Sequence, residues 1–305
     1  MKTFGESVYE WMVKYKKTSV KPSTYDRLET SYKLMNHYKL SYVPLDEIDE
    51  DYMQEYINTL MNDGYALSTI KKQYHLITEY MDYANVKGII DRPYDKAVNL
   101  PSRSNVKKVA KDAIGYTPTE QNRLKEILWT LERPAYGAAL LMLETGMRVG
   151  EALAVGFDDV DFGRRCISVH KTFVHLGNHR KSFIQQEAKS FASNRTIPLS
   201  KDAMRLINEL KLRSVNDDFI IQNGSGDPLN YEALRWRIHR ACIEANVPYY
   251  GQHAFRHTFA TNCYYKGCDV KRLSKLLGHS DVSITYNVYI HLFGDELEDM
   301  RSVVD

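Results

Sequence analysis

The feature that most constrains this chain is the interruption between about residues 91 and 113. Pro93, Pro101 and the basic run from Arg103 to Lys111 carry no apolar periodicity there. Proline has no amide proton for a helix or sheet ladder, and it pushes the residue before it out of helical conformation. Such a segment reads as a linker, so the 305 residues divide into two bodies. Everything before it reads as helix. Thr3 and Glu6 have capping-box spacing, and Phe4, Val8, Trp11, Met12 and Tyr15 make one apolar stripe. Pro22-Ser23 starts a second helix with Leu28, Tyr32 and Met35 inward. A third runs from about Asp49 to Gly64. A fourth begins near Ser68, carries Ile70, Tyr74, Ile77 and Met81, and stops near Gly88. The expectation is a helical bundle with a tyrosine-rich core over residues 1–92, followed by a linker over 93–113.

Beyond the linker the pattern changes. Thr117-Pro118-Thr119-Glu120 opens a helix with a cap, proline at its first position and glutamate at its third. Pro134 to Gly146 is nearly all apolar and reads as a buried helix. Val160 to Val174, Ser182 to Ala188 and Arg195 to Leu199 read as one small antiparallel sheet, with turns at Asp161-Phe162-Gly163 and Leu176-Gly177-Asn178. Helices resume at Ser200 and near Asn230. The fold class is mainly α with a small antiparallel β-sheet.

Composition excludes some classes. Formal net charge is only +2, but Arg103, Lys107, Lys108 and Lys111 sit in an acid-free stretch, and the last fourteen residues hold five acids. A basic middle with an acidic tail suits a nucleic-acid binder. The four cysteines, Cys166, Cys242, Cys263 and Cys268, form no Cys-x-x-Cys pair and read as buried thiols of a reducing compartment. The N-terminus lacks the apolar core of a signal peptide, and no run reaches the roughly 18 apolar residues of a membrane span. A cytoplasmic protein without membrane contact is expected.

Four stretches carry chemistry. In Thr145-Gly146-Met147-Arg148-Val149-Gly150-Glu151, glycine ends the buried helix and Arg148 follows on a rigid base. Arginine grips phosphate bidentately, although pairing with Glu151 is the plainer reading. In His253-Ala254-Phe255-Arg256-His257, His253 and Arg256 share a helical face. The four-residue spacing of His253 and His257 resembles a zinc motif. Ala254 stands where the metalloprotease glutamate would be, however, and Arg256 would repel a cation, so His257 reads as structural and no metal is expected. Leu276-Leu277-Gly278-His279 precedes Tyr289-Ile290-His291 by ten residues, with Tyr286 as a rival phenol. A phenol, with a pKa near ~10, becomes a nucleophile only beside a proton acceptor and a positive field. Lys189, in Glu187-Ala188-Lys189-Ser190, falls at a strand end as a mobile general acid or an ordinary solvated lysine.

Taken together these motifs resemble the tyrosine recombinase (phage integrase) family, over about residues 114–291 and in the family's order. The N-terminal helices, including Lys21-Pro22-Ser23-Thr24-Tyr25, are similar to its SAM-like core-binding domain. Integrases of conjugative transposons and many temperate phages carry an arm-binding domain before such helices; this chain starts almost directly at them, as either a recombinase of the simple kind or a truncated longer one would. The resemblance implies a two-domain DNA clamp with an α+β catalytic domain over 114–291 and no cofactor. It implies that Arg148, Arg256 and His279 hold a scissile phosphate and Tyr289 attacks it. It implies too that His253 assists as acid/base and Lys189 protonates the departing oxygen. Lys21, Lys71, Arg103, Lys107 and Lys108 are expected DNA contacts. The helix with Arg235, Arg237 and Arg240 is the expected groove reader, against a solvated helix face. Partners would be double-stranded DNA with specific recombination sites, three further copies in a tetramer on paired sites, and an excisionase or host DNA-bending protein. In the tail, 292–305, Phe293, Leu297, Met300 and Val304 form one stripe that either folds back onto its own domain or, as the resemblance implies, is exchanged between subunits. Resolution of chromosome or plasmid dimers, type IB topoisomerase-like relaxation and a catalytically silent regulator are the alternatives.

Overall fold

The computed structural model describes residues 2–90, 98–102, 115–178, 181–186 and 194–289, without the side chains of 287–289. The basic run, Lys189, His291 and the tail lie outside the described residues. The chain separates into two compact units, residues 1–111 with 175–181, and 112–174 with 182–305. No helix among the described residues is long and apolar enough to cross a membrane. The architecture is mainly helical with small antiparallel sheets, as the sequence patterns imply.

In the first unit, Thr3 caps α1 (Phe4–Trp11) through a capping box with Glu6. The chain continues through a π-helical turn (Met12–Lys16) into α2 (Lys17–Ser19). Phe4, Val8, Trp11 and Met12 are buried as their spacing predicts, but Tyr15 is exposed. The π turn inserts an extra residue and rotates the next side chains out of the apolar stripe. Helices α3 (Pro22–Met35), α4 (Glu50–Asn62) and α5 (Leu67–Val86) complete the bundle. They enclose a core that includes Met35, Ile57, Leu60, Ile70, Ile77 and the rings of Tyr56 and Tyr80. Each such large apolar side chain contributes about 2 kcal/mol when taken fully from water.

The second unit is built around α7 (Pro134–Thr145), which is buried along nearly its whole length. Packed against it are α6 (Pro118–Leu128), α9 (Lys201–Lys211), α10 (Tyr231–Glu244) and α11 (His253–Tyr265). A helix apolar all round cannot face water, so its neighbours wrap it. The short helix α8 (Val149–Ala152) packs on α7, while α12 (Val270–Leu277) packs on α11 and on α13 (Val282–Tyr289). The expected single sheet is two. Strands β1 (Val160–Asp161), β2 (Cys166–Val169) and β5 (Arg195–Pro198) form an antiparallel sheet, and β3 (Thr172–Leu176) pairs with β4 (Lys181–Gln185) separately. The ladder of β2 with β5 ends at Val169 opposite Arg195. There Lys171 turns to the carboxylate of Asp159 at 2.9 Å, which breaks the strand expected to run on to Val174. Of the four thiols, only Cys242 is fully buried; the other three are half-buried, Cys263 and Cys268 at the edge of a small cluster of Ala260, Leu273 and Leu277.

Helix α7 ends at Gly146 in the left-handed conformation, φ 67°. A Cβ there would lie 2.3 Å from the Phe259 ring, whereas at Gly267, φ 82°, it would meet nothing within 4 Å. Gly267→Ala should therefore lose only the backbone strain, about 1–2 kcal/mol. Gly146→Ala adds overpacking and should lose about 3 kcal/mol or more. Thermal unfolding of the two variants checks this, and equal losses would remove the packing argument.

Candidate active site

The site assembles where α12 ends. Gly278 takes the left-handed conformation, φ 66°, and the amides of Gly278 and His279 fold back onto Lys275 and Ser274. That closure leaves the last carbonyls of the helix pointing outward, at the negative end of its dipole. Three arginines from three other elements take them in succession. Arg195, opening β5, donates from Nε to the Leu276 oxygen at 2.6 Å. Arg256, on α11, donates from Nη2 to the Leu277 oxygen at 2.7 Å. Arg148, the N-cap of α8, donates from Nη2 to the Gly278 oxygen at 3.1 Å.

Each guanidinium is held from behind as well. Arg256 is buried and donates from Nη1 to the Gly146 oxygen at 2.9 Å, which joins it to the end of α7. Arg148 donates from its amide to Glu151 Oε2 at 2.8 Å and from Nη1 to Oε1 at 2.9 Å. The pairing with Glu151 read from the sequence is thus real and belongs to the site. The Arg148 side chain keeps 36% of its surface open, enough to meet an anion. Burial alone would raise the Glu151 carboxyl, but Arg195 and Arg148 outweigh it and hold it below its ordinary value. Three guanidinium groups against one ionised carboxylate leave the site positive.

His279 lies within this field. Its Nε2 is 2.9 Å from Arg256 Nη2, and its Nδ1 is 2.7 Å from the hydroxyl of Thr285 on α13. Arginine can only donate, so Nε2 accepts and Nδ1 carries the proton toward Thr285. Burial, then the charges of Arg256, Arg148 and Arg195, push the imidazole down to about 4. His253, exposed at the start of α11, is also held below its ordinary value, first by partial desolvation and then by Arg256 and Arg148. Both imidazoles are therefore neutral near pH 7.

Of the residues singled out in the sequence, Arg148, Arg256 and His279 share this one turn, with His253 inside their field. The main chain of Tyr289 ends α13, four residues after the buried Thr285 and hence on the neighbouring helical position. Its side chain, and all of Lys189, lie outside the described residues, as do Arg103, Lys107 and Lys108. Tyr286 is exposed. Lys21 and Lys71 are exposed on the first unit. On α10, Arg235 and Arg240 are exposed and pair with Glu232 at 3.3 Å and Glu244 at 3.1 Å, while Arg237 is half-buried. Those pairs offset part of the positive face expected of a groove reader. Sequence reasoning missed Arg195 and Thr285 altogether and saw Glu151 only as a pairing partner. The one available signal was Glu151 three residues after Arg148, the spacing at which a carboxylate caps a helix start.

Below pH 6.5 an unfolded chain takes up protons that folded His279 refuses until about pH 4. The unfolded state binds more protons in that window, so stability rises with pH across it and falls as pH drops. Thermal unfolding of the DNA-free protein should follow this course, and His279→Gln should flatten the slope. Identical slopes in the two proteins would show that the imidazole is not held neutral.

Residues 117–296 match the Phage integrase family, and residues 3–98 match the Phage integrase SAM-like domain. A XerC-like tyrosine recombinase of Caldanaerobacter subterraneus subsp. tengcongensis is 26% identical over 95% of this chain and 79% of its own length. The transposase from transposon Tn916 of Enterococcus faecalis is 21% identical over 94% of this chain and 75% of its own. Among solved structures, the Tn1549 transposon integrase in complex with transposon right end DNA has a TM-score of 0.84, with 99% of this chain and 100% of that chain covered at 19% identity. A lambda integrase tetramer bound to a Holliday junction has a TM-score of 0.68, covering 94% and 77% at 16% identity. At these identities the structural likeness speaks for the fold.

Proposed function

Because the chain belongs to the phage integrase family, the site-specific tyrosine recombinases that act on DNA, we propose that it cuts and rejoins DNA strands through a 3′-phosphotyrosyl intermediate at Tyr289. The observation that carries this reading is the convergence of Arg148, Arg256 and His279 on the end of α12, with α13 leading directly to Tyr289. Cationic donors fixed in place before the reaction stabilise charge that grows on a phosphoryl group without reorganising to do so.

In the proposed reaction the Tyr289 oxygen attacks phosphorus and the bond to the 5′-oxygen breaks. Arg148 and Arg256 neutralise the non-bridging oxygens, and His279 completes their cage. His253, neutral near pH 7, takes the phenol proton. Lys189 gives a proton to the departing 5′-oxygen. The 5′-hydroxyl of a partner strand then attacks the phosphotyrosine and regenerates the phenol. Bond energy is kept in the covalent link, so the exchange needs no nucleotide hydrolysis.

The substrate would be double-stranded DNA carrying a pair of recombination sites, bound by four copies of this chain. Lys21, Lys71, the linker cations Arg103, Lys107 and Lys108, and Arg235 and Arg237 on α10 would contact it, phosphates supplying most affinity. Residues 292–305 would link neighbouring copies, with an excisionase or host DNA-bending protein as further partners. Integration and excision of a mobile element is the favoured biological role, since curated relatives include transposon proteins. Dimer resolution is the second reading, favoured by the XerC-like relative.

Tyr289→Phe should bind a nicked suicide substrate but form no covalent adduct on a denaturing gel. An adduct that persists there and vanishes in Tyr286→Phe would identify the wrong phenol. Lys189→Ala should cleave an ordinary diester about 10²-fold or more slowly and recover on a 5′-bridging sulfur, whose leaving group needs no proton. Equal impairment on both substrates would remove the general-acid role.

A further inference from the structure

Arg195 has no place in the proposed reaction, yet its side chain is almost wholly enclosed, only 6% exposed. A buried charge is tolerated only when its hydrogen bonds are met, and here they are met by the site itself. Nη1 and Nη2 donate to Glu151 Oε1 and Oε2 at 3.1 and 2.8 Å, a two-point grip that fixes the plane of the carboxylate. Those same two oxygens accept from the Nη1 and amide of Arg148. The position of Arg148 therefore depends on a carboxylate whose orientation Arg195 sets.

Arg195 also reaches the other side of the phosphate cage. Its Nε holds the Leu276 oxygen, two residues before Gly278. A Cβ at Gly278 would lie 3.0 Å from Arg195 Nη1 and 3.1 Å from its Cδ. The turn that carries His279 thus rests directly on the Arg195 side chain. Finally, Arg195 stands six residues after Lys189 in the sequence and is the first residue of β5.

We infer that Arg195 is a positioning residue for strand cleavage: through Glu151 it sets Arg148, and through Leu276 and Gly278 it sets His279, so that both meet one phosphate. This rests on the proposed assignment of Arg148 and His279 to the scissile phosphate. The competing account is a buried ion pair that merely holds the fold. The two differ in what a conservative change does. Lysine keeps the charge but offers one point of contact in place of a planar fork. Misplacing a reacting group by about 1 Å costs about 10²-fold in rate.

The test is single-turnover cleavage of a nicked suicide substrate at saturating DNA, with DNA affinity and thermal unfolding measured on the same proteins. Arg195→Lys should bind DNA as the unaltered protein does and cleave about 10²-fold more slowly. If Arg195→Lys does not fold, the pair Arg195→Gln with Glu151→Gln removes both charges from the interior together. It should fold and show the same loss of cleavage at unchanged affinity. Cleavage at the original rate per folded molecule, in whichever of the two proteins folds, would overturn the inference in favour of a purely structural pair. A loss confined to DNA affinity would overturn it in favour of a DNA contact. Arg148→Ala, run in parallel, separates the two layers. If it fails to cleave while the Arg195 variant cleaves normally, only the positioning role falls. If both cleave normally, the assignment of the phosphate site falls with it.

Discussion

The arrangement depends on the C-terminal carbonyls of one eight-residue helix. A helix end leaves its last carbonyl oxygens without partners inside the helix. In α12 the glycine turn satisfies two earlier carbonyls and leaves Leu276, Leu277 and Gly278 to be met from outside. Arg195, Arg256 and Arg148 meet them in that order, one arginine per residue. The backbone of a short helix thereby acts as a template that spaces three cations. No surface cluster of flexible side chains would hold like charges so near each other. The helix dipole and the Glu151 carboxylate offset their repulsion, and the burial of Arg195 and Arg256 removes the freedom to drift apart.

That template is only as rigid as its surroundings, and these come from the buried helix. The Gly146 oxygen at the end of α7 anchors Arg256, and two residues later the chain supplies Arg148. A helix packed on every side cannot shift without opening the core, so the two arginines inherit its stiffness. The sheet contributes the third through the first residue of β5, whose partner strand β2 ends opposite it. Helix α13 joins by a different route, through the buried Thr285 hydroxyl on His279. The turn that carries His279 and the helix that ends at Tyr289 are thus tied by a hydrogen bond as well as by packing.

Much of this was legible in the sequence. Capping boxes at Thr3 and Thr117, the apolar run of α7 and the motif residues Arg148, Arg256 and His279 all obey local rules that survive folding. The features that escaped share a physical cause. Tyr15 left its stripe because a π turn changes the helical period, and periodicity rules assume that it does not. The strand expected to continue past Val169 stopped because Lys171 had a partner at Asp159, twelve residues earlier. Arg195 and Thr285 have no local signature, since each matters only through a residue distant in the chain. A strand-end arginine and a helical threonine are ordinary until the fold brings Glu151 to one and His279 to the other.

The protonation state of His279 connects this geometry to the chemistry. Without DNA, its Nε2 accepts from Arg256, so that buried guanidinium is directed at an uncharged nitrogen and a backbone oxygen. A phosphodiester oxygen carries negative charge and is a better acceptor than either. Its arrival would draw the Arg256 protons toward itself and offset the arginine charges that, after burial, hold the imidazole neutral. The histidine would then bind a proton more readily, at the step where a further donor to the phosphate is useful. In the proposed reaction the internal acceptors are stand-ins for the phosphate. They keep three cations satisfied and correctly spaced in the free protein.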